Sequence, residues 1–526
     1  MGTESLSRAL VEFFPHLLPE GILVAIACVV FLGATTRAGR NLWYLLSLGA
    51  LATGVLLIIA QGPPLSGSNS NRPETFASPV LFDNLTWFIR LLAFGGGLVF
   101  VLFSWSEVPE KQAADFLGCM LVTIAGLSMC GSANDLIGLF LSLEMISIPT
   151  YVLLYLPRYD EASQEASMKY FLLSIFSSAF LLFGFSYLYG LAGTTNLSGI
   201  LHALDTTDVR DRPALASVVL IMVVAGLGFK ITAAPFHFYA PDVYQGAPTV
   251  GAALLAFIPK AAGFVALLRV LGFVFPAAVS ARAGIGMAFG DQTPILLCFL
   301  AAVTMFVGNL LALWQDNLKR LFAYSSIAHA GYMLIALAAA PLLRQAGRNE
   351  GADGIEALLY YLVAYGAMTV GAFAVISYLS TPERPIETVD DLAGLSRSHP
   401  GVALLMVLFL FSLIGIPLTA GFTGKFLIFF GALAVPGGER ATLFPILAVL
   451  GMINAAIGAW YYLRLVAVMY LRTSVRPVEG KWCPAGLAAV GICALLTLGL
   501  SLPPGADWLV QAARKASGAT TAAAPK

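Results

Sequence analysis

Charge is scarce in this sequence. Only 11% of its 526 residues are Asp, Glu, Lys or Arg, against 59% hydrophobic residues, whereas a soluble domain carries about 25% charged residues. That shortage excludes a water-facing globular fold and leaves a polytopic membrane protein. The charge that is present balances, with 29 Lys+Arg against 29 Asp+Glu, so no excess points to nucleic acid or to an acidic soluble partner. Cysteine is thin as well. The six (Cys28, Cys119, Cys130, Cys298, Cys483 and Cys493) are scattered through apolar stretches without a Cys-x-x-Cys pair, which argues against iron–sulfur ligation, structural zinc and a disulfide framework. They read as small buried hydrophobes. The first apolar stretch also lacks a basic leader and a small-residue cleavage site; it follows Glu4, Arg8, Glu12 and Pro15 and reads as a retained anchor.

Long apolar runs are abundant. A spanning helix takes about 20 mostly apolar residues, and on that rule the chain is all-α with about fourteen spans, near residues 17–35, 41–61, 79–104, 112–132, 135–157, 165–192, 214–240, 248–275, 293–315, 320–342, 355–380, 401–434, 441–471 and 484–503. An even count places both termini on one side. The longer connectors, Gly62 to Ser78 and Leu204 to Pro213, are polar, and the Ala/Thr/Gly-rich tail after Pro504 reads as a frayed end. Arg37, Arg40, Lys319, Arg320, Arg472, Arg476 and Lys481 favour one side while Arg210, Arg212, Arg344 and Arg348 lie on the other, so the positive-inside signal is weak.

The stretch from Leu215 to Val270 organises the rest. Its two apolar spans each carry one lysine, Lys230 and Lys260, and Pro235, Pro241, Gly246 and Pro248 lie between them, which denies a continuous helix its hydrogen bonds. A lysine at the centre of a spanning helix costs roughly 2.5–3.5 kcal/mol, so two beside a helix break read as an ion pathway. The pattern recurs. In LFLFSLIGIPLTAGFTGKFLIFFGAL, Pro417 follows a similar apolar run and is followed by Gly421, Gly424 and Lys425. Each interrupted span precedes one that ends alike, Leu267-Leu268-Arg269-Val270 after Lys260 and Tyr462-Leu463-Arg464-Leu465 after Asn454. Two five-span units result, with paired broken helices of the kind that mark midplane sites in transporters. The match is imperfect, because Lys230 precedes its proline and Lys425 follows its own.

Inside the expected hydrocarbon layer the ionisable residues are Glu144, Lys230, Lys260 and Lys425, accompanied by His237 and His329. Burial disfavours the charged form of a lysine and a nearby carboxylate favours it, so a lysine beside a movable carboxylate reads as a proton switch. The blander alternative is that Glu144 and Lys230 form a buried ion pair that fixes helix register, which would leave Lys260 and Lys425 unexplained. His329 is either a satisfied interior histidine or a relay, and His237, just beyond Pro235, is open to the same two readings. Asn134 and Asp135 read as interfacial; Arg269 and Arg464 lie close enough to helix ends to snorkel.

Three stretches, GFKITAAPFHFYAPDVYQGAP (Gly228 to Pro248), LKRLFAYSSIAHAGYML (Leu318 to Leu334) and DDLAGLSRSHP (Asp390 to Pro400), are similar to the antiporter-like membrane subunits of respiratory complex I and of related cation/proton antiporters. The resemblance extends over about residues 80–475 and is nearest the N-type (subunit 2 type) branch of the bacterial proton-pumping NADH:quinone oxidoreductases. It implies about fourteen transmembrane helices with two inverted five-helix repeats, roughly residues 111–275 and 290–472, flanked by helices 1–3 at about 1–110 and a last helix with its tail at about 473–526. It also implies that Glu144 on the fifth helix, Lys230 on the broken seventh, Lys260 on the eighth and Lys425 on the broken twelfth transfer protons. Lys425 speaks against the M-type branch, which usually has glutamate there; the L-type branch continues into a long lateral helix, which this sequence does not. By the same resemblance the chain is a proton-translocating subunit in a bacterial inner membrane, driven by quinone reduction elsewhere in the complex and performing no bond chemistry. No cofactor or metal is expected in it, flavin and iron–sulfur centres belonging to other subunits. Expected partners are the bilayer, protons and neighbouring M-type and K-type subunits, with no nucleic acid. The alternative is a subunit of a sodium/proton antiporter, which would use the same lysines. A passive scaffold of the membrane arm is a third reading, and the intramembrane charges oppose it.

Overall fold

The computed structural model describes the chain apart from residues 1–2, 37–38, 65–77, 158–159, 207–212, 274–291, 346–352, 382–383, 437–441, 474–479, 481–482 and 519–526. Most of the two polar connectors lies outside the described residues, as do Arg37, Arg210, Arg212, Arg348, Arg476 and Lys481.

The described residues are helical, without a named strand. In order they form α1 (Thr3–Gly33), α2 (Arg40–Gln61), α3 (Asn84–Ser104), α4 (Ala113–Ser132), α5 (Leu136–Tyr155), α6 (Glu161–Ala192), α7 (Leu197–Thr206), α8 (Pro213–Lys230), α9 (Ala240–Gly246) and α10 (Thr249–Val270). There follow α11 (Gln292–Ala312), α12 (Leu318–Gln345), α13 (Gly354–Leu379), α14 (Pro400–Ile414), α15 (Ala420–Leu433), α16 (Leu443–Leu471), α17 (Pro484–Gly499) and α18 (Gly505–Ala516). Eleven described helices are long and apolar enough to cross a membrane. Three more crossings are made of shorter apolar helices: α8 continued by α9, α14 continued by α15, and α17 alone. The count of fourteen expected from hydropathy is therefore reached.

The inverted repeat is written in the backbone. At the start of α5, Leu136 N–H donates to Thr195 C=O and Leu197 N–H donates to Asn134 C=O, both at 2.9 Å. At the start of α12, Leu318 N–H donates to Glu387 C=O at 2.7 Å and Val389 N–H to Asp316 C=O at 2.9 Å. Each unit thus ties the start of its second helix to the loop after its third. Five crossings separate the two ties, an odd number, so they lie on opposite membrane faces.

Helix starts are capped by acidic side chains, which accept from backbone N–H groups that have no partner within the helix. Asp83, Asp135 and Asp160 accept from Thr86, Ile137 and Ser163 at 2.8, 2.8 and 2.9 Å. Proline occupies the cap position of α10, and Glu107, from the loop before α4, supplies the missing acceptors for Thr249 N–H (2.5 Å) and Val250 N–H (2.9 Å). Every residue of α10 is buried, and α12 and α13 are nearly so, whereas α2, α6, α11 and α16 leave apolar side chains such as Leu45, Phe176, Phe299 and Trp460 exposed. The polar axis is carried by the buried set.

Three expectations need correction. Arg269 does not snorkel: it is fully buried, bonded to both oxygens of Asp83 at 2.7 and 2.8 Å and to Gly131 C=O at 2.6 Å. The census of buried charge is also incomplete, since Glu20 and Arg90, 3% and 4% exposed, form a 2.7 Å ion pair with Ser128 donating to Glu20 at 2.5 Å. Finally, the residues after Pro504 do not fray at once. Ala506, Leu509, Ala513 and Ala516 of α18 are buried, the helix packs on α3 and α13, and Arg514 pairs with Glu356 at 3.0 Å.

Candidate functional site

Helix α8 stops at Lys230, and the next nine residues run irregularly before α9 begins. Thr232 takes φ +59°, a left-handed conformation that costs a β-branched residue steric energy. The free backbone groups find partners. Ala233 N–H donates to Gly228 C=O at 2.8 Å, and Ala234 N–H donates to Thr304 Oγ1 of α11 at 3.0 Å. Gly263 of α10 lets the break lie close, for a Cβ there would come within 2.6 Å of the Ile231 side chain and 3.2 Å of Lys230 Cβ. Lys230 is 3% exposed and donates to Ser147 Oγ of α5 at 2.6 Å and Ser174 Oγ of α6 at 3.1 Å. Glu144, one turn before Ser147, accepts from Ser178 Oγ at 2.6 Å. The two charges are therefore not in direct contact: Lys230 is held by serines of α5 and α6 and Glu144 by a serine of α6, and they interact through space.

A second cluster surrounds α12. Lys260 of α10, fully buried, donates to the carbonyl of Ser326 and, at 2.5 Å, to its hydroxyl. Tyr365 of α13 donates to the same hydroxyl at 2.7 Å, and the lysine nitrogen lies 5.2 Å from its ring centroid. Three residues along α12, His329 hydrogen-bonds through Nδ1 to Tyr361 at 2.6 Å and through Nε2 to Tyr462 at 3.2 Å. Tyr462 in turn bonds to Ser325. His329 lies within electrostatic reach of both Lys260 and Lys425.

Lys425 sits on α15 but reaches back across the second break. Its ammonium donates to Leu413 C=O and Ile414 C=O, both at 2.9 Å, and lies 4.8 Å from the ring centroid of Tyr332. Those carbonyls end α14, so the Lys425 cation sits at the negative end of the half-helix that precedes its break. Lys230 is the last residue of α8, but its ammonium goes to serines of α5 and α6. The lysines differ in position relative to proline, yet both meet the half-helix end before the break, Lys230 by its place in the chain and Lys425 by its reach. The breaks share another feature, since Leu418 takes φ +68° as Thr232 takes +59°.

The structure thus groups Lys260, His329 and Lys425 around five tyrosines (Tyr332, Tyr361, Tyr365, Tyr461 and Tyr462), with Tyr461 and Tyr332 both bonded to Asn309 at 3.1 Å. Lys230 and Glu144 form a neighbouring group joined to α10 at Gly263. His237 joins neither: it is half-buried in the first break, and its Nδ1 has no hydrogen-bond partner among the described residues. Ser326 was legible as a helix neighbour of His329, whereas sequence reasoning missed Ser174, Ser178, Tyr361, Tyr365, Tyr461 and Tyr462 as site residues. The Tyr361/Tyr365 spacing of four residues on an apolar helix was the available signal. Among the described residues, no group of three His, Cys, Asp or Glu side chains could hold a metal ion.

Residues 133–451 match the family model described as NADH:quinone oxidoreductase/Mrp antiporter, TM. NADH-quinone oxidoreductase subunit N of Trichlorobacter lovleyi is 37% identical over 494 residues, covering 93% of both chains. Subunit N 2 of Rhizobium meliloti is 34% identical over 517 residues, covering 97% of this chain and 99% of that one. Among solved structures, a chain of respiratory complex I from Thermus thermophilus superposes with a TM-score of 0.71 at 31% identity, covering 93% of this chain and 97% of that one. A chain of the Mrp complex from Dietzia shares the fold, with a TM-score of 0.78 at 17% identity and coverage of 95% and 97%.

Proposed function

This chain belongs to the NADH-quinone oxidoreductase subunit N family, and from that premise we propose that Lys230, Lys260 and Lys425 pass protons across the membrane, with Glu144 setting the charge of the first. The chain is a multi-pass subunit of the complex I membrane arm in the bacterial inner membrane, beside other membrane subunits. Sodium/proton antiporter subunits are relatives in the same broad family.

The observation that carries the reading is the lining of the axis: buried amines whose donors are taken up by hydroxyls and by carbonyls at a helix break rather than by carboxylates. A lysine locked to a carboxylate stays protonated, whereas one held by hydroxyls is free to give its proton up. Ser326 and Tyr365 serve the Lys260 amine, and His329 with Tyr361 and Tyr462 stands between that amine and Lys425. Proton steps between these hydrogen-bonded segments require water to enter, and the irregular backbone at the two breaks offers polar groups to hold it. When Glu144 and its surroundings favour charge on Lys230, a proton loaded there disfavours one on Lys260; the reverse shift releases it. The energy comes from quinone reduction in other subunits, and no covalent bond other than those to protons changes here. His237, half-buried at the first break with Nδ1 unpartnered among the described residues, serves in this reading as the entry relay.

Replacing Lys230 with Ala in the whole complex is expected to leave assembly near wild type and abolish pumping in vesicles through this subunit. Lys230→Arg is expected to fail as well, because a guanidinium keeps its proton at any accessible pH. Undiminished pumping by an assembled Lys230→Ala complex would remove the residue from the path.

A further inference from the structure

Where α2 ends and α3 begins, α18 packs on α3 and borders a small cavity lined by Pro63, Asn84, Trp87, Trp508, Gln511, Ala512 and Lys515, with a volume of about 90 Å³. A water needs roughly 10–15 Å³ measured in this way, so the space takes a group several times larger. Its lining is not that of a dry core. Lys515 is exposed and brings a cation, Asn84 and Gln511 bring amide donors, and the indoles of Trp87 and Trp508 form the remaining wall. Asp83, next to Asn84, is committed to Arg269, Arg514 is committed to Glu356, and Asp507, next to Trp508, does not line the cavity. Among the described residues that line it, Lys515 carries the charge and no acid opposes it, so the lining favours an anion.

Its depth identifies the kind of anion. Two apolar crossings terminate at the cavity, so it lies at the membrane–water boundary, where tryptophans anchor and where basic pockets meet lipid headgroups. Helix α18 has the build of an interfacial helix: Ala506, Leu509, Ala513 and Ala516 face inward, Trp508 is 57% exposed, and Gln511 and Lys515 face the boundary. Leu56 and Ile59, exposed on the turns of α2 that lead to Pro63, offer an apolar surface for an acyl chain. We propose that this cavity binds the phosphate of an anionic phospholipid, with Lys515, Gln511 and Asn84 on the phosphate oxygens and the two indoles flanking the glycerol end.

The test uses the intact complex in nanodiscs of phosphatidylcholine doped with a trace of phosphatidylglycerol carrying a photoreactive headgroup, or with the matching phosphatidylcholine probe. Labelling is mapped by peptide mass. The phosphatidylglycerol probe is expected to label the α18 peptide, severalfold less in Lys515→Glu and in Lys515→Gln, while the phosphatidylcholine probe labels it weakly and equally in all three. Lys515 is exposed, and assembled complex is quantified in each preparation so that labelling is compared per folded subunit. Equal labelling by both probes, or labelling indifferent to Lys515, would overturn the proposal. Displacement of the phosphatidylglycerol label by millimolar inorganic phosphate would also overturn it, by showing a site for the free anion rather than for lipid.

Discussion

A serine decides what a glutamate does in this protein. Glu144 was legible in the sequence because a lone acid in an apolar span is rare, but Ser147 and Ser174 were not, because serine in a helix interior usually bonds its own backbone. Their hydroxyls receive the Lys230 proton donors at 2.6 and 3.1 Å, so the carboxylate acts on the lysine from a distance rather than as a locked pair. The register-fixing ion pair therefore loses its main support. Glu144→Gln is expected to assemble normally, since an amide oxygen can accept the Ser178 bond in its place, while pumping falls at least tenfold. Moving the carboxylate does not rescue it. Ser147→Glu in that background replaces the hydroxyl on Lys230 with a contacting carboxylate, which holds the lysine protonated, so pumping is expected to stay low, at a packing cost of roughly 1–3 kcal/mol for the larger side chain. Ile148→Glu is expected to stay low as well, because Ile148 is 57% exposed and on the outer face of α5. Pumping in vesicles, normalised to assembled complex, reads both; near-wild-type pumping by the Ser147→Glu double mutant would contradict the hydroxyl-held amine.

Breaks in helices were the most readable elements, because proline and glycine interrupt a hydrogen-bond ladder whatever the tertiary context. What the sequence could not reveal was where each cation lands relative to its break, since that depends on which carbonyls a long side chain reaches. It also gave no sign that Thr232 and Leu418 would take positive φ, residues that elsewhere avoid it. The second break is held by contact as close as packing permits. Gly421 opens α15 against the end of α14, where its N–H donates to Ser412 Oγ at 3.1 Å and an added Cβ would lie 1.8 Å from Ser412 C=O. Because the obstacle is backbone, the neighbour cannot yield by changing rotamer. Gly421→Ala is expected to push the half-helices apart, lower the amount of assembled complex severalfold and lower its thermal transition. Gly401→Ala, with nothing within 4 Å of the added atom, is the matched control and is expected to behave as wild type.

Over the whole molecule, the number of crossings and the two five-span units could be read from hydropathy and from paired motifs, because both are periodic properties of local sequence; their inversion was implied by the family resemblance. Ties between distant segments could not. Arg269 finds Asp83 from 186 positions away, and nothing near either residue announces the other. The same holds for the fastening of α18. Arg344, at the end of α12, pairs with Asp353 at 3.2 Å and donates to Ser517 C=O at 2.6 Å, so one guanidinium joins the α12–α13 corner to the chain just after α18. Burial would raise the pKa of Asp353 above that of an ordinary aspartate, but the charge of Arg344, its hydrogen bond, and those from Ser517 and Ile355 N–H more than offset this and hold the carboxyl below its usual range. A depressed carboxyl contributes stability that is complete above the ordinary value of about 3.9 and is lost only as pH falls through the lower folded value. Between pH 6 and pH 8 the fastening is therefore expected to be constant. Tryptic cleavage after Arg514 in the purified complex, corrected for the protease's own pH profile, measures it. Wild type is expected to be cut slowly and equally at both pH values. Asp353→Asn leaves a buried arginine without its carboxylate, a loss of roughly 3–5 kcal/mol, and is expected to be cut much faster at both. A wild-type rate that rises between pH 8 and pH 6 would assign the fastening to a histidine instead, and an Asp353→Asn rate equal to wild type would show that α18 is held by Glu356 and packing alone.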